Sequence, residues 1–252
     1  MIKSSDADLV DVSFISDKKD SLLAKDIVQA EQIVHTQIFR HWIVSPKSAK
    51  LMVHWDFQPP KTVAGTSPLS LFCNTITQGL RTKQRILSVL WFCGRHIDAS
   101  EVGEQVGGNS MLASLIDQLL RQHTFDTRSL SNSFNMQRLQ QNDYNELLNL
   151  FDWLVKELPN TVTIFCIVDG VALFEREEHW EKSAPVFLKM VNLANDPNVP
   201  AVVKILFTST PGTDMVRGAF EQEDLILEVG KLPKCASVPS EERMARELGE
   251  AK

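Results

Sequence analysis

The stretch from Thr161 to Asp169 constrains the fold of this chain more than any other, because it is apolar on both faces and ends at a carboxylate. It reads TVTIFCIVD and is followed by Gly170. Such a strand is typical of the centre of a parallel sheet, where helices cover both sides. Ligands bind at the carboxyl ends of parallel strands, and a carboxylate placed there needs solvent, a partner or a metal ion. Asp169 is therefore predicted to mark a ligand-binding edge.

Other apolar runs alternate with stretches of helical spacing. Buried strands are predicted at Leu51–Phe57, Ile86–Cys93, Val202–Thr208 and Leu225–Val229. Helices are predicted at 21–42, 69–81, 110–122, 143–158, 178–195 and 213–220. Strands that alternate with helices indicate an α/β fold with three layers, in which helices cover both faces of a mostly parallel sheet of about five strands.

The domain organisation follows from the distribution of apolar residues. Residues 1–19 are polar and are expected to be a flexible N-terminus. Residues 20–230 carry the strands and helices and are expected to form one domain, in which the glycine-rich segment Ile97–Asn109 is a flexible loop. Residues 231–252 are charged and are expected to be a polar tail.

Composition argues against some classes of function, although a local basic patch is compatible with the total charge. The 252 residues carry a net charge of -6, which argues against nonspecific binding to nucleic acid or to anionic membranes. No apolar run approaches the length of a membrane span, and the opening residues lack the apolar core of a secretory signal, so a cytoplasmic protein is expected. The four cysteines show no CxxC spacing, which argues against a zinc site, and the six histidines show no ligand spacing either.

The loop after the first strand is where a phosphate-binding motif would lie. Such a motif, G-x-x-x-x-G-K-[ST], needs inward-pointing amides, a lysine for the terminal phosphates and a hydroxyl for magnesium. Gly65 and Ser67 match the second glycine and the hydroxyl, whereas Pro60 replaces the first glycine and Thr66 replaces the lysine. Lys61 is the nearby cation that would have to compensate. A plain surface loop capped by Ser67 is the alternative interpretation.

The opposite side of the predicted crevice is also incomplete. Ser67 and Asp169 are the expected magnesium ligands if ATP or GTP binds. Thr208, Ser209 and Thr210 end their strand with hydroxyls that are expected either to sense a phosphate or to cap the following turn. An acid that positions water is missing directly after Asp169. Glu175, Glu177 and Glu178 come later and are expected to be solvated at a helix start.

Several segments, in this order, resemble a STAND-class P-loop NTPase domain of the NACHT-like type found in fungal NLR-like proteins. The resemblance covers about residues 36–230 and places the Walker B strand at Thr161–Gly170 and the sensor strand at Lys204–Thr210. The other matching segments are Phe39–Ser45, Leu51–Trp55, Gly65–Ser70, Ile86–Cys93 and Ser110–His123. The resemblance implies a P-loop NTPase-like fold, a nucleotide with magnesium as the cofactor, and protein partners. Association with further copies of the same chain is also compatible with it.

The departures from this family decide the functional hypothesis. The family lysine falls on Thr66, the acidic pair after the Walker B aspartate falls on Ala172 and Leu173, and the arginine after the sensor falls on Thr210. Losing one charge-assisted phosphate contact costs about 1.5–3 kcal/mol in binding, and more in a transition state. The first hypothesis is therefore a degenerate regulatory or interaction module with weak or no nucleotide binding and little hydrolysis.

Two alternatives remain at this point. One is a working ATP or GTP switch that hydrolyses slowly, with Lys61 in place of the missing lysine. The other is an unrelated α/β enzyme such as a hydrolase, against which the absence of a G-x-S-x-G motif argues.

Overall fold

The computed structural model describes residues 6–56, 60–103, 105–221 and 225–234. Within them five strands form one parallel sheet in the order β2-β3-β4-β1-β5. The strands are β1 (Ala49–His54), β2 (Ile86–Phe92), β3 (Thr163–Asp169), β4 (Val202–Ser209) and β5 (Ile226–Glu228). This arrangement confirms the predicted three-layer α/β fold and is consistent with a P-loop NTPase-like architecture.

Helices lie along the chain between the strands. The α-helices are α1 (Ala7–Asp17), α2 (Ala24–Glu31), α3 (Gln37–Val44), α4 (Pro68–Arg81), α5 (Ala99–Val102), α6 (Gly107–Gln122), α7 (Leu130–Ser133), α8 (Met136–Gln140), α9 (Tyr144–Lys156), α10 (Glu177–Asn195) and α11 (Gly218–Glu221). Short 3₁₀ turns follow β2 at Cys93–Arg95 and β3 at Val171–Glu175.

Each face of the sheet has its own hydrophobic core, because successive side chains of a strand point to opposite faces. On β3, Ile164, Cys166 and Val168 pack with α6, α9 and α10. The alternate residues Phe165 and Ile167 pack with α2, α3 and α4 on the other face. Asp169 continues this second series, so its carboxylate emerges on the face that carries α4.

The first helix corrects the expectation of a flexible N-terminus. Ile15 is fully buried, and the side chain of Asp8 is only 1% exposed. Asp8 accepts hydrogen bonds from Arg81 (3.1 Å) and from Arg121. The polar residues that suggested a frayed segment therefore attach α1 to α4 and α6.

A second correction concerns residues 21–42, which were predicted to form one helix of about six turns. They form α2 and α3, separated by a 3₁₀ turn at Gln32–His35. Thr36 begins α3, where its hydroxyl accepts a hydrogen bond from the amide of Phe39 (3.3 Å). The apolar spacing persisted through the break because both helices bury residues in the same core.

The described residues of the segment 97–109, which was predicted to be a flexible loop, include helical stretches. The segment contains α5, and α6 begins at Gly107 rather than at Ser110. A Cβ on Gly108 would lie 2.2 Å from the carbonyl oxygen of Lys182, so glycine is required where α6 crosses α10. Gly108 therefore serves helix packing, whereas the sequence pattern suggested a loop.

Some predictions lie outside the described residues. Phe57 at the end of the first predicted strand, Pro59 of the following loop, Cys235 and the tail from residue 235 onward belong to this group. The described start of the tail contacts the domain, because the side-chain amide of Gln29 donates to the carbonyl oxygen of Leu232 (3.0 Å). The same amide also donates to the carbonyl oxygen of Val229 (3.0 Å).

Candidate functional site

The candidate site lies at the carboxyl edge of the sheet, where β3 and β4 end beside the start of α4. Asp169 is the last residue of β3, and its side chain is buried. The hydroxyl of Ser70 donates to Asp169 Oδ2 (2.6 Å), and the hydroxyl of Thr208 donates to Oδ1 (2.5 Å). The amide of Gly170 donates to Thr208 Oγ1 (2.9 Å). Both carboxylate oxygens are thus bonded to hydroxyls of the protein.

Helix α4 begins with a complete capping box. The hydroxyl of Ser67 accepts the amide of Ser70 (3.1 Å), and the hydroxyl of Ser70 accepts the amide of Ser67 (3.0 Å). Pro68 occupies the first helical position, where its missing amide proton costs nothing. Ser67, Ser70 and Asp169 therefore form one continuous chain of hydrogen bonds at this helix start.

The loop before α4 forms a tight two-residue turn. Val63 N donates to Thr66 O (2.8 Å), and Thr66 N donates to Val63 O (3.0 Å). The two central residues have positive φ values, 48° at Ala64 and 72° at Gly65, as in a type I′ turn. The amides of Val63 and Thr66 are consequently bonded within the turn, whereas a phosphate cradle directs its amides toward the anion.

This turn packs directly on the turn that follows β2. A Cβ on Gly65 would lie 2.1 Å from the carbonyl oxygen of Gly94, and a Cβ on Gly94 would lie 2.5 Å from the carbonyl oxygen of Gly65. Arg95 Nη1 donates to Ala64 O (3.4 Å). The side chain of Arg95 also lies against α1, with Nε 3.6 Å from Asp11 Oδ1 and the guanidinium carbon 3.6 Å from the ring centre of Phe14.

The structure separates the predicted site residues into three groups. Ser67, Asp169 and Thr208 come together, although the link between Ser67 and Asp169 passes through Ser70. Gly65 and Thr66 lie in the neighbouring turn, where Thr66 is fully buried and its hydroxyl has no hydrogen-bond partner within the described residues. Lys61 is exposed before this turn.

Sequence reasoning missed Ser70. Its signal was the spacing Ser67-Pro68-Leu69-Ser70, a hydroxyl residue at the cap followed three positions later by a second one. A glutamate or glutamine usually occupies that second position in a capping box. Serine fills it here, and its short side chain reaches both the cap and Asp169.

Two other candidates have structural partners instead of a place in the crevice. Glu175 accepts the amides of Asp214 (2.7 Å), Met215 (3.1 Å) and Val216 (2.9 Å), so its carboxylate caps the segment after β4. This use of Glu175 differs from the solvated position that was expected. Ser209 Oγ lies 2.6 Å from Nδ1 of His54, and burial is the largest cause that lowers the pKa of His54.

Comparison of the sequence with models of known protein families gives a match. The model described as "Nephrocystin 3, N-terminal" matches residues 29–210, which is most of the chain. The chain belongs to this family. No curated protein and no solved structure matched the chain significantly.

The nephrocystin 3 N-terminal match spans the site from β1 to the end of β4 and includes all six predicted site residues. Helix α1 and strand β5 lie outside it. This family is associated with NACHT-like and P-loop-like proteins, which indicates a regulatory or interaction domain.

No helix among the described residues is long and apolar enough to cross a membrane.

The electrostatics of the site are dominated by burial. Burial raises the pKa of Asp169, and the hydrogen bonds from Ser70 and Thr208 oppose this effect without cancelling it. Burial also raises the pKa of the Cys73 and Cys93 thiols well above the ordinary value, with a smaller contribution from the charge of Asp169. The interior near Asp169 therefore disfavours negative charge.

We expect Asp169→Asn to gain stability relative to the parent protein as pH rises above the ordinary aspartate pKa. A raised folded-state pKa means that the folded protein binds the proton more tightly than the unfolded chain, so this stabilisation is present at low pH and is lost as pH rises through the folded-state value. The difference grows by at most about 1.4 kcal/mol per pH unit between the two pKa values. Urea unfolding of both proteins at several pH values between about 4 and 8 measures it.

The control for this series is Asp20→Asn, since Asp20 is exposed in the turn after α1. Its stability difference from the parent should stay flat over the same range. A flat difference for Asp169→Asn as well would show that Asp169 is ionised throughout.

Proposed function

We propose that this chain is a degenerate P-loop-type domain of the STAND or NACHT-like class that acts as a regulatory or interaction module. In this proposal it binds ATP or GTP weakly or not at all, and it does not hydrolyse either at a useful rate. Its partners are proteins, and the cytoplasm is its place of action.

The proposal rests chiefly on the hydroxyl network of Ser67, Ser70, Asp169 and Thr208. Magnesium coordination would require the Ser67 hydroxyl and an ionised Asp169. In the fold the Ser67 hydroxyl caps α4, while Asp169 is buried between two hydroxyl donors. Binding of a magnesium–nucleotide complex would therefore have to break an existing set of bonds and place charge on a carboxyl group whose pKa is raised by burial.

The turn at Val63–Thr66 adds to this cost. Opening it for a phosphate would break its two backbone hydrogen bonds, each with a net value of about 1 kcal/mol. Thr66 stands where a lysine would neutralise phosphate charge, which removes about 1.5–3 kcal/mol of favourable contact. Together these terms amount to several kcal/mol and reduce a micromolar site to millimolar affinity or weaker.

We expect purified protein to show no magnesium-dependent ATP or GTP hydrolysis above that of the double variant Ser67→Ala, Asp169→Ala. Thermal unfolding with up to about 5 mM nucleotide and magnesium should give at most a small stabilisation, since a millimolar Kd corresponds to about 1 kcal/mol at that concentration. Such a stabilisation shifts Tm by about 2–4 °C in a chain of this size.

A matched surface control is the double variant Asp20→Ala, Ser21→Ala, in which both residues are exposed. Hydrolysis that survives in this control and disappears in Ser67→Ala, Asp169→Ala would overturn the proposal. That result would favour a working ATP or GTP switch instead.

A further inference from the structure

Three potential metal ligands meet at the end of the sheet formed by β1 and β5. His54 ends β1, Asp56 follows two residues later, and Glu228 ends β5 directly beside His54 in the parallel register. One ligand atom from each residue lies within 4.8 Å of the other two. The cluster therefore combines an imidazole nitrogen with two carboxylates from separate parts of the chain.

The imidazole of His54 is oriented by a hydrogen bond of the kind that supports metal-ligating histidines. Its side chain is only 4% exposed, and Nδ1 lies 2.6 Å from the hydroxyl of Ser209 on the adjacent β4. Nε2 of His54 lies 3.9 Å from Oδ2 of Asp56. When Nδ1–H donates to Ser209, Nε2 carries a lone pair directed toward the carboxylates.

The second observation concerns Glu228. Its Oε1 accepts from Arg217 Nη2 (3.2 Å), whereas Oε2 is buried and has no hydrogen-bond partner within the described ranges. A buried carboxylate oxygen without a partner is costly. A bound cation would satisfy this oxygen.

The balance of charge around the cluster favours a dication. Arg217 Nη2 lies 3.2 Å from Glu228 Oε1, and Arg217 Nε lies 2.5 Å from Glu221 Oε1. Asp56, Glu221 and Glu228 carry three negative charges and Arg217 carries one positive charge. These four described side chains thus sum to a net charge of about -2 when the imidazole is neutral.

We infer that His54, Asp56 and Glu228 form a binding site for a divalent transition metal ion of the Zn²⁺ type. Zn²⁺ accepts imidazole nitrogen and carboxylate oxygen in one tetrahedral site and leaves the fourth position to water. Mg²⁺ instead prefers an octahedral shell of oxygens. The exposed side chain of Asp56 can close the remaining distance. The ion would join the end of β1 to β5, separately from Ser67 and Asp169, so this inference does not depend on the proposed function.

Sequence spacing concealed this cluster, because Glu228 lies far along the chain from His54 and Asp56. The absence of CxxC and histidine spacing argued against a zinc site at the sequence level. Parallel pairing of β1 with β5 brings the ligands together. Only the strand order, in which β5 is the edge neighbour of β1, reveals the arrangement.

The test is titration of chelator-treated full-length protein with Zn²⁺ alone and with Co²⁺ alone, by isothermal titration calorimetry and visible absorption. We expect saturable binding of one equivalent and Co²⁺ d–d bands without sulfur charge transfer. Asp56→Asn and Glu228→Gln should each weaken binding by about tenfold or more. Ser209→Ala should weaken it less, because Ser209 only positions His54.

Glu177→Gln, at the exposed start of α10, is the matched control and should bind as the parent does. Circular dichroism without metal checks that each variant is folded, and the half-exposed Asp56 provides a test even if Glu228→Gln unfolds. Two results overturn the inference: binding of less than one equivalent in the parent protein, or unchanged affinity in Asp56→Asn. The second would assign the bound metal to surface histidines.

Discussion

Gly65→Ala is expected to destabilise the domain by about 3 kcal/mol or more. The new Cβ would lie 2.1 Å from the carbonyl oxygen and 2.7 Å from the carbonyl carbon of Gly94, and neither atom belongs to a flexible side chain. Forced overpacking costs about 1–3 kcal/mol. The positive φ of 72° adds about 1–2 kcal/mol for a residue with a Cβ. Urea unfolding measures the sum, and thermal unfolding should show Tm lower by about 6–12 °C.

Gly212→Ala separates the two costs. Gly212 has a φ of 93°, and a Cβ there would meet no atom within 4 Å. Its substitution should therefore show only the conformational cost of about 1–2 kcal/mol. If Gly65→Ala were no more harmful than Gly212→Ala, the turn at Val63–Thr66 would not rest against Gly94 in solution. An open loop that can receive a phosphate would then become the better description.

The strands and their edge were predictable because a buried parallel strand leaves a clear pattern. β2, β3 and β4 each begin at or within two residues of the predicted start, and each is buried on both faces. Once the parallel order is known, Asp169 must lie at the carboxyl edge. The meeting of Asp169 with the start of α4 follows from the same rule.

Residues whose roles depend on distant partners were not predictable. Asp8 and Asp11 give a polar N-terminal segment, yet both are buried because their partners lie on elements far along the chain. Gly108 suggested a loop at the level of the sequence. The reason for a glycine there is its close approach to the backbone of Lys182, which no local pattern contains. Ser70 bonds Asp169 through a contact between two elements that no local pattern contains.

The site also shows why a partial motif has little meaning by itself. Gly65 and Ser67 fit the phosphate-binding pattern, but each has a sufficient structural reason to be present. Gly65 supplies a positive φ and a close backbone approach, and Ser67 caps a helix. Motif residues whose presence is explained by folding are therefore not evidence that the ligand binds.

The N-terminal helix should be an integral part of the domain, so Asp8→Ala is expected to lower the free energy of unfolding by about 3 kcal/mol. Removing one partner of a buried ion pair costs about 3–5 kcal/mol, because it leaves a charge without its counterion. The lower end applies because Arg81 and Arg121 are 23% and 33% exposed. Arg121 also keeps Asp117, at 2.9 Å.

Asp17→Ala is the matched control for that prediction, since Asp17 lies in the last turn of α1 and is exposed. A carboxylate there faces the negative end of the helix dipole, so its removal should be neutral or slightly stabilising. Hydrogen exchange should also show faster exchange of α1 amides in Asp8→Ala only. Because Arg95 contacts both α1 and Ala64, the turn at Val63–Thr66 should lose protection in the same variant. Equal stability of the two variants would mean that α1 is attached to the domain by its apolar contacts alone.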